Sequence, residues 1–221
     1  MGMKFKGYRL ELKLNQGQRV LCAKSAGTSR FAYNWKLRSL IEQYEQAKAE
    51  ASGGKVKYNF GNAIAWHRDW VKLKNELPWI RETSKCCGQQ ALFDLEHSFN
   101  RFFRKMSGFP RFKSKGNNNT FRVDGHVYIA SDYVQIPGIG KIRLKEKNHP
   151  ILEGKCLLSQ ATVSRQCDRW FVSFLLKDGV DSPELASVEF IDECDILGVD
   201  LGIKELAITS EGETFENPKA Y

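Results

Sequence analysis

No run in these 221 residues approaches the roughly 18 consecutive apolar residues of a membrane-spanning helix, which argues against an integral membrane protein. Met1-Gly-Met-Lys-Phe-Lys6 has no apolar signal-peptide core, and the residues after Gly2 lack the Ser or Thr of a myristoylation site. The expected location is therefore the cytoplasm, with no membrane partner. Cysteine is sparse: six residues, at 22, 86, 87, 156, 167 and 194, with no C-x-x-C and no His at ligand spacing. A tetrahedral zinc site needs such close pairs, so no zinc ribbon or finger is expected and the thiols read as free.

Acids are also scarce, but only in part of the chain. Residues 179–221 hold eleven acids and two lysines, which leaves 32 bases against 15 acids in residues 1–178. The formal charge of +8 thus hides a basic module followed by an acidic one. A surplus of that size reads as a polyanion-binding surface, because each neutralised phosphate releases counterions. The plainer alternative is an ordinary basic surface. The 42% hydrophobic and 12% aromatic content supports a folded protein.

Lys4 to Leu14 alternates, with Tyr8, Leu10, Leu12 and Leu14 on one face, and so predicts a strand. Asn15 suits a helix N-cap. Apolar spacing predicts helix from there to about Ala51, divided at Gly27-Thr28-Ser29 into a helix-turn-helix-like hairpin and closed by Ser52-Gly53-Gly54. A third helix is expected over Asn59–Asn75 and a fourth from Thr83 to about Met106. The fourth has an apolar stripe, Leu92, Leu95, Phe99, Phe102, Phe103 and Met106, that reads as core. From Thr120 the pattern changes to strands: 121–123, 126–129, 133–136, 141–144, 161–164 and 170–176. Turn residues separate them, which suggests a small antiparallel barrel that also takes in the first strand.

Three constellations carry chemistry. Residues 101–115 hold six bases, among them Arg104, Arg111, Lys113 and Lys115, interleaved with four phenylalanines. Such a segment can neutralise phosphates while Phe109 and Phe112 pack the loop or stack on bases. Lys85 and Gln89, four apart at the start of the fourth helix, share a face that can meet base edges or phosphates. Asp200 lies between Gly198 and Gly202 in an apolar run expected to be a buried strand, where a lone carboxylate is costly unless paired, hydrogen-bonded or holding a cation. Cleavage of a phosphodiester by two metals needs several converging carboxylates, so one Asp can anchor a cation but cannot fix two. Glu205, Glu211 and Glu213 are expected to be exposed.

Four stretches, Ser29-Arg-Phe-Ala-Tyr-Asn-Trp35, Phe99-Asn-Arg-Phe-Phe-Arg104, Gly108-Phe-Pro-Arg-Phe-Lys-Ser-Lys115 and Gly198-Val-Asp-Leu-Gly-Ile-Lys204, together resemble the TnpB (OrfB) family of RNA-guided nucleases encoded by insertion sequences. The resemblance implies an α+β multidomain fold. Residues 1–14 and 120–178 would form a wedge-type antiparallel β-barrel, with a helical recognition domain, 15–119, inserted in it. A linker, 179–188, would lead into the first strands of a RuvC-like (ribonuclease H-like) fold at 189–221. It implies a guide RNA, double-stranded DNA bearing an adjacent motif, Mg2+ at a nuclease centre that includes Asp200, and a prokaryotic, nucleoid-associated setting. The positions similar to the family's motif-reading strip are Tyr58, Asn62, Lys85, Gln89, Asn119 and Thr120. Arg30, in the first of the four stretches, joins the nucleic-acid candidates.

The family's further acidic motifs and C-terminal zinc finger have no counterpart in residues 1–221. The expectation is a truncated form that binds guide RNA and DNA but does not cleave alone, and a separate C-terminal half is a candidate partner. Two alternatives stay open: a nuclease-inactive RNA-guided repressor, and a helix-turn-helix DNA-binding accessory protein of transposition.

Overall fold

The computed structural model describes residues 5–51, 58–116, 119–146, 156–177 and 197–218. They fall into two compact units, Met1–Asp178 and Gly179–Tyr221. The linker expected at 179–188, the segment 189–196, Ser52-Gly53-Gly54, Asn117 and Asn118 lie outside the described residues.

The first unit is built on a closed six-stranded antiparallel barrel, in the order β1-β4-β3-β2-β5-β6. Strand β1, Phe5–Lys13, closes it by pairing with β6, Arg169–Lys177, over most of its length and with β4, Gly140–Leu144, at Leu12 and Lys13. The alternation read from the sequence sets which side chains point inward: Leu10, Leu12 and Leu14 are buried with Val123, Ile129, Val134, Ile142, Val163 and Val172. Two predicted strands are one, β2, Thr120–Ile129, bulged between Asp124 and Val127. Gly125 and His126 there take positive φ, which lets the strand bend and still pair with both β3, Tyr133–Ile136, and β5, Cys156–Gln166.

The expected helical hairpin is instead a single helix, α1, Gln16–Glu50, capped by a reciprocal Asn15–Gln18 capping box. Gly27 does not break it. A helix-interior glycine costs only about 1 kcal/mol, and tertiary burial of Ala26, Thr28, Ser29 and Ala32 outweighs that. The first half of α1 lends Cys22 and Ala26 to the barrel core, and the second half lends Tyr33, Leu37 and Leu40 to a helical core. One unbroken helix therefore ties the two cores together.

Helix α2, Ala63–Glu76, starts from Asn62 as N-cap and stops before Pro78, which begins a short 3-10 turn, Pro78–Glu82. Helix α3, Lys85–Phe103, starts from Ser84. Leu92, Leu95 and Phe99 are buried as the stripe predicts, but Phe103 is 55% and Met106 64% exposed. The stripe ends early because Lys105 takes a left-handed backbone, φ 58°, and turns the chain out of the helix. Trp70 seats against α3 at Gly88, where a Cβ would lie 2.4 Å from the ring.

The second unit shows a three-stranded antiparallel meander, β7-β8-β9: Val199–Asp200, Glu205–Thr209 and Thr214–Glu216. Among the described residues no helix is long and apolar enough to cross a membrane.

Candidate nucleic-acid interface

A polar seam joins the barrel to α3. Gln90, 5% exposed, donates to Asp124 Oδ2 at 2.6 Å and accepts from Gln160 at 3.2 Å and from Arg122 at 3.4 Å. One turn on, Asp94 holds Arg122 at 2.9 Å and stands 4.0 Å from Lys113 Nζ. Burial pushes the Asp94 carboxyl up, against the pull of Arg122, Lys113 and His97. Burial likewise pushes the Lys113 ammonium down, and Asp94 opposes that.

This seam pins the loop that follows α3. Lys113 Nζ sits 4.1 Å over the ring of Tyr33, and Asn34 grips the Lys113 backbone at both ends, accepting from its N–H at 2.8 Å and donating to its carbonyl at 2.9 Å. Pro110 is buried, while Arg111, Phe112 and Lys115 face solvent. The loop is therefore held to α1 at Lys113, with Arg111, Phe112, Ser114 and Lys115 exposed on either side of it. Lys113, a candidate from the composition of the loop, is half-buried, with its ammonium turned toward Asp94 and the Tyr33 ring.

The other candidates fall into groups. Arg30, on α1 one turn before Asn34, donates to Asn119 Oδ1 at 3.5 Å, so Arg30, Asn119, Thr120 and the 111–115 loop come together. Lys85 is exposed and Gln89 half-buried at the start of α3. Tyr58 and Asn62 do not join them. Tyr58 donates to Gln43 at 2.7 Å and packs on Phe60, whose ring reaches Phe99 and Phe103 at the far end of α3. Lys85 lies eighteen helical residues from Phe103, about 27 Å. Asn62 uses its side-chain oxygen to cap α2, accepting from Ala65 at 2.9 Å. Arg104 is exposed at the α3 C-cap.

Asp200 departs from its expectation. It lies in a two-residue edge strand, opposite Ile208, and is exposed, as are Val199 (54%) and Leu201 (76%). No group of three or more His, Cys, Asp or Glu converges among the described residues, so Asp200 by itself does not fit a two-metal centre. The seam residues Gln90, Asp94, Arg122 and Asn34 were not readable as a site: each is a polar residue in an otherwise ordinary helix or strand, and only tertiary pairing gives it a role.

The exposed cations along α3 and its loop, Lys85, Arg101, Arg104, Lys105, Arg111 and Lys115, have no acidic partner among the described residues. These cations lie on a unit that combines a closed barrel with an inserted layer of helices. Residues 1–49 match the model of a helix-turn-helix domain family, HTH_OrfB_IS605. Over 220 residues, 99% of this chain and 50% of the relative, it is 29% identical to the Escherichia coli K12 protein called "Putative RNA-guided DNA endonuclease InsQ". It is 30% identical over 76% of its length to a Streptomyces pristinaespiralis protein called "Putative RNA-guided DNA endonuclease", of which it covers 40%. The resemblance to the TnpB (OrfB) family is shown by these matches. The chain spans about half the length of the curated relatives it matches. A solved Cas12f1–sgRNA–target DNA complex is also similar, over 97% of this chain and 57% of that one, with a TM-score of 0.34 and 13% identity.

Proposed function

We propose that residues 1–178 are the nucleic-acid-holding part of a TnpB-type RNA-guided DNA endonuclease, gripping a guide RNA and a DNA duplex that carries a short adjacent motif. The observation that carries this reading is the strip of cations on α3 and its pinned loop, without acidic partners among the described residues, in a unit with 32 bases against 15 acids. Arg30, Asn119, Thr120, Arg111 and Lys115 form one contact group and Lys85 with Gln89 another. Phosphate contacts from the cations fix position, and the amides and hydroxyls reach base edges. Tyr58, Asn62 and Arg104 belong to the α3 C-terminal end and serve a separate contact. Asp200 is one ligand of the nuclease Mg2+ and needs further carboxylates to cut, so the 221-residue polypeptide binds without cleaving.

The unbroken α1 counts against a reading in which Val20 to Tyr44 act as a two-helix DNA reader, because both ends of α1 are committed to cores. The test is purification of the 221-residue protein followed by sequencing of bound RNA and DNA binding with and without it. RNA-dependent, sequence-selective duplex binding is expected. Equally tight duplex binding after RNA removal would refute the guided reading, and Mg2+-dependent cutting would refute the statement about Asp200.

A further inference from the structure

The C-terminus of α3 ends in a Schellman motif, with Met106 N–H donating to the Arg101 carbonyl and Lys105 N–H to the Phe102 carbonyl, each at 2.9 Å. The left-handed position of that motif normally belongs to glycine. Here it is Lys105, φ 58°, at a cost of about 1 kcal/mol. The turn sends the chain back so that Phe109 stands edge-on to Phe99 at 5.6 Å and to Phe102 at 5.3 Å. Phe103 lies within 21° of parallel to the buried Phe99, with centroids 6.1 Å apart, and Phe60 braces it at 5.5 Å.

Two rings are thus fixed from beneath by core aromatics while Phe103 is 55% and Phe109 43% exposed. Fixed rings lose little freedom on binding, which favours stacking. Arg101, Arg104, Lys105 and Arg111 each lie within two residues of one of these rings in sequence, exposed and without an acidic partner among the described residues. A protein surface docking here would have to neutralise four cations as well as cover the rings. An unpaired nucleic-acid strand supplies both complements, flat bases and phosphates, in one polymer. We propose that Phe103 and Phe109 form a stacking platform for unpaired bases of RNA or melted DNA, with these cations on the adjoining phosphates. This rests on the nucleic-acid reading above and names a contact within it. A strained lysine at a glycine position fits such a role, since it adds a cation beside the platform.

The experiment uses the 221-residue protein and short single strands of RNA or DNA carrying 2-aminopurine, an abasic counterpart, and a duplex. Binding of the ordinary strands should quench the 2-aminopurine. Phe103→Ala with Phe109→Ala should weaken single-strand binding about tenfold and abolish the quench. Duplex and abasic binding should change little. Phe103→Leu, which keeps apolar bulk, should lose the quench, and Phe103→Trp should keep it. A stronger effect on RNA than on DNA would assign the strand to a guide; equal effects would assign any unpaired strand. Losses equal on abasic and ordinary strands, or no loss, would overturn the platform alone. So would dimerisation of the parent protein abolished by Phe103→Ala. Failure of the unaltered protein to bind any nucleic acid would overturn the functional reading with it.

Discussion

Asn34 on α1 uses its side-chain amide to accept from the N–H and donate to the carbonyl of one residue, Lys113, 79 residues away in sequence. A single side chain thereby substitutes for a strand partner and gives the loop after α3 a fixed course. Each such bond is worth about 1 kcal/mol net. Asn34→Ala should therefore cost about 1–3 kcal/mol of stability. It should also expose Arg111 and Lys115 to trypsin. Limited proteolysis checks this, and an unchanged cleavage rate would show that the clamp does not hold the loop.

Lys113 and Lys115 should separate experimentally, although composition treats them alike. Lys115 is exposed, and Lys115→Ala should lower the salt slope of nucleic-acid binding by about 1. Lys113 stacks on Tyr33 and faces Asp94, so Lys113→Ala should leave the slope in place and cost about 1 kcal/mol of stability. Salt titrations beside urea melts decide between the two roles, and equal slope changes would return Lys113 to the interface.

Gly88→Ala tests the seat of Trp70. Helix propensity favours alanine by about 1 kcal/mol, but the new Cβ would lie 2.4 Å from Cζ2 of a ring that is 1% exposed. Overpacking of this kind costs about 1–3 kcal/mol. A net loss of stability is expected in denaturant melts; a gain would mean that α2 shifts freely.

The thiols give a pH dependence with a definite sign. Burial, aided by the neighbouring Cys87, pushes Cys22 up to about 12, and burial does the same for Cys87, with a hydrogen bond from Ser25 opposing. Between pH 9 and about 12 the folded protein keeps protons that the unfolded chain releases, so stability should fall as pH rises through that window. At pH 8 alkylation should label exposed Cys167 well before Cys22 or Cys87, as mass spectrometry of timed samples would show. Early labelling of Cys22 would contradict its burial.

The barrel was legible because strand alternation is a local signal: Leu10, Leu12 and Leu14 face inward as their spacing requires. The capping of α1 by Asn15 and the stop before Pro78 are local too. The break expected at Gly27 is absent, because burial of the residues around it on two cores is a sum over distant contacts. The apolar stripe of α3 overran for the opposite reason: no residue code announces a lysine in a left-handed turn. At the candidate site, composition located the basic segment 101–115 but could not sort outward cations from the one turned in toward Asp94 and Tyr33.

By itself the sequence determined the charge division between residues 1–178 and 179–221, the inward face of each strand and the family resemblance, since each depends on residue identity and short-range order. Only the tertiary structure decided that α1 is one helix serving two cores, that Asn34 and Asp94 fix the basic loop, and that Asp200 stands exposed on an edge strand. Those outcomes depend on which surfaces meet, and burial, ion pairing and desolvation are set by neighbours far away in the chain.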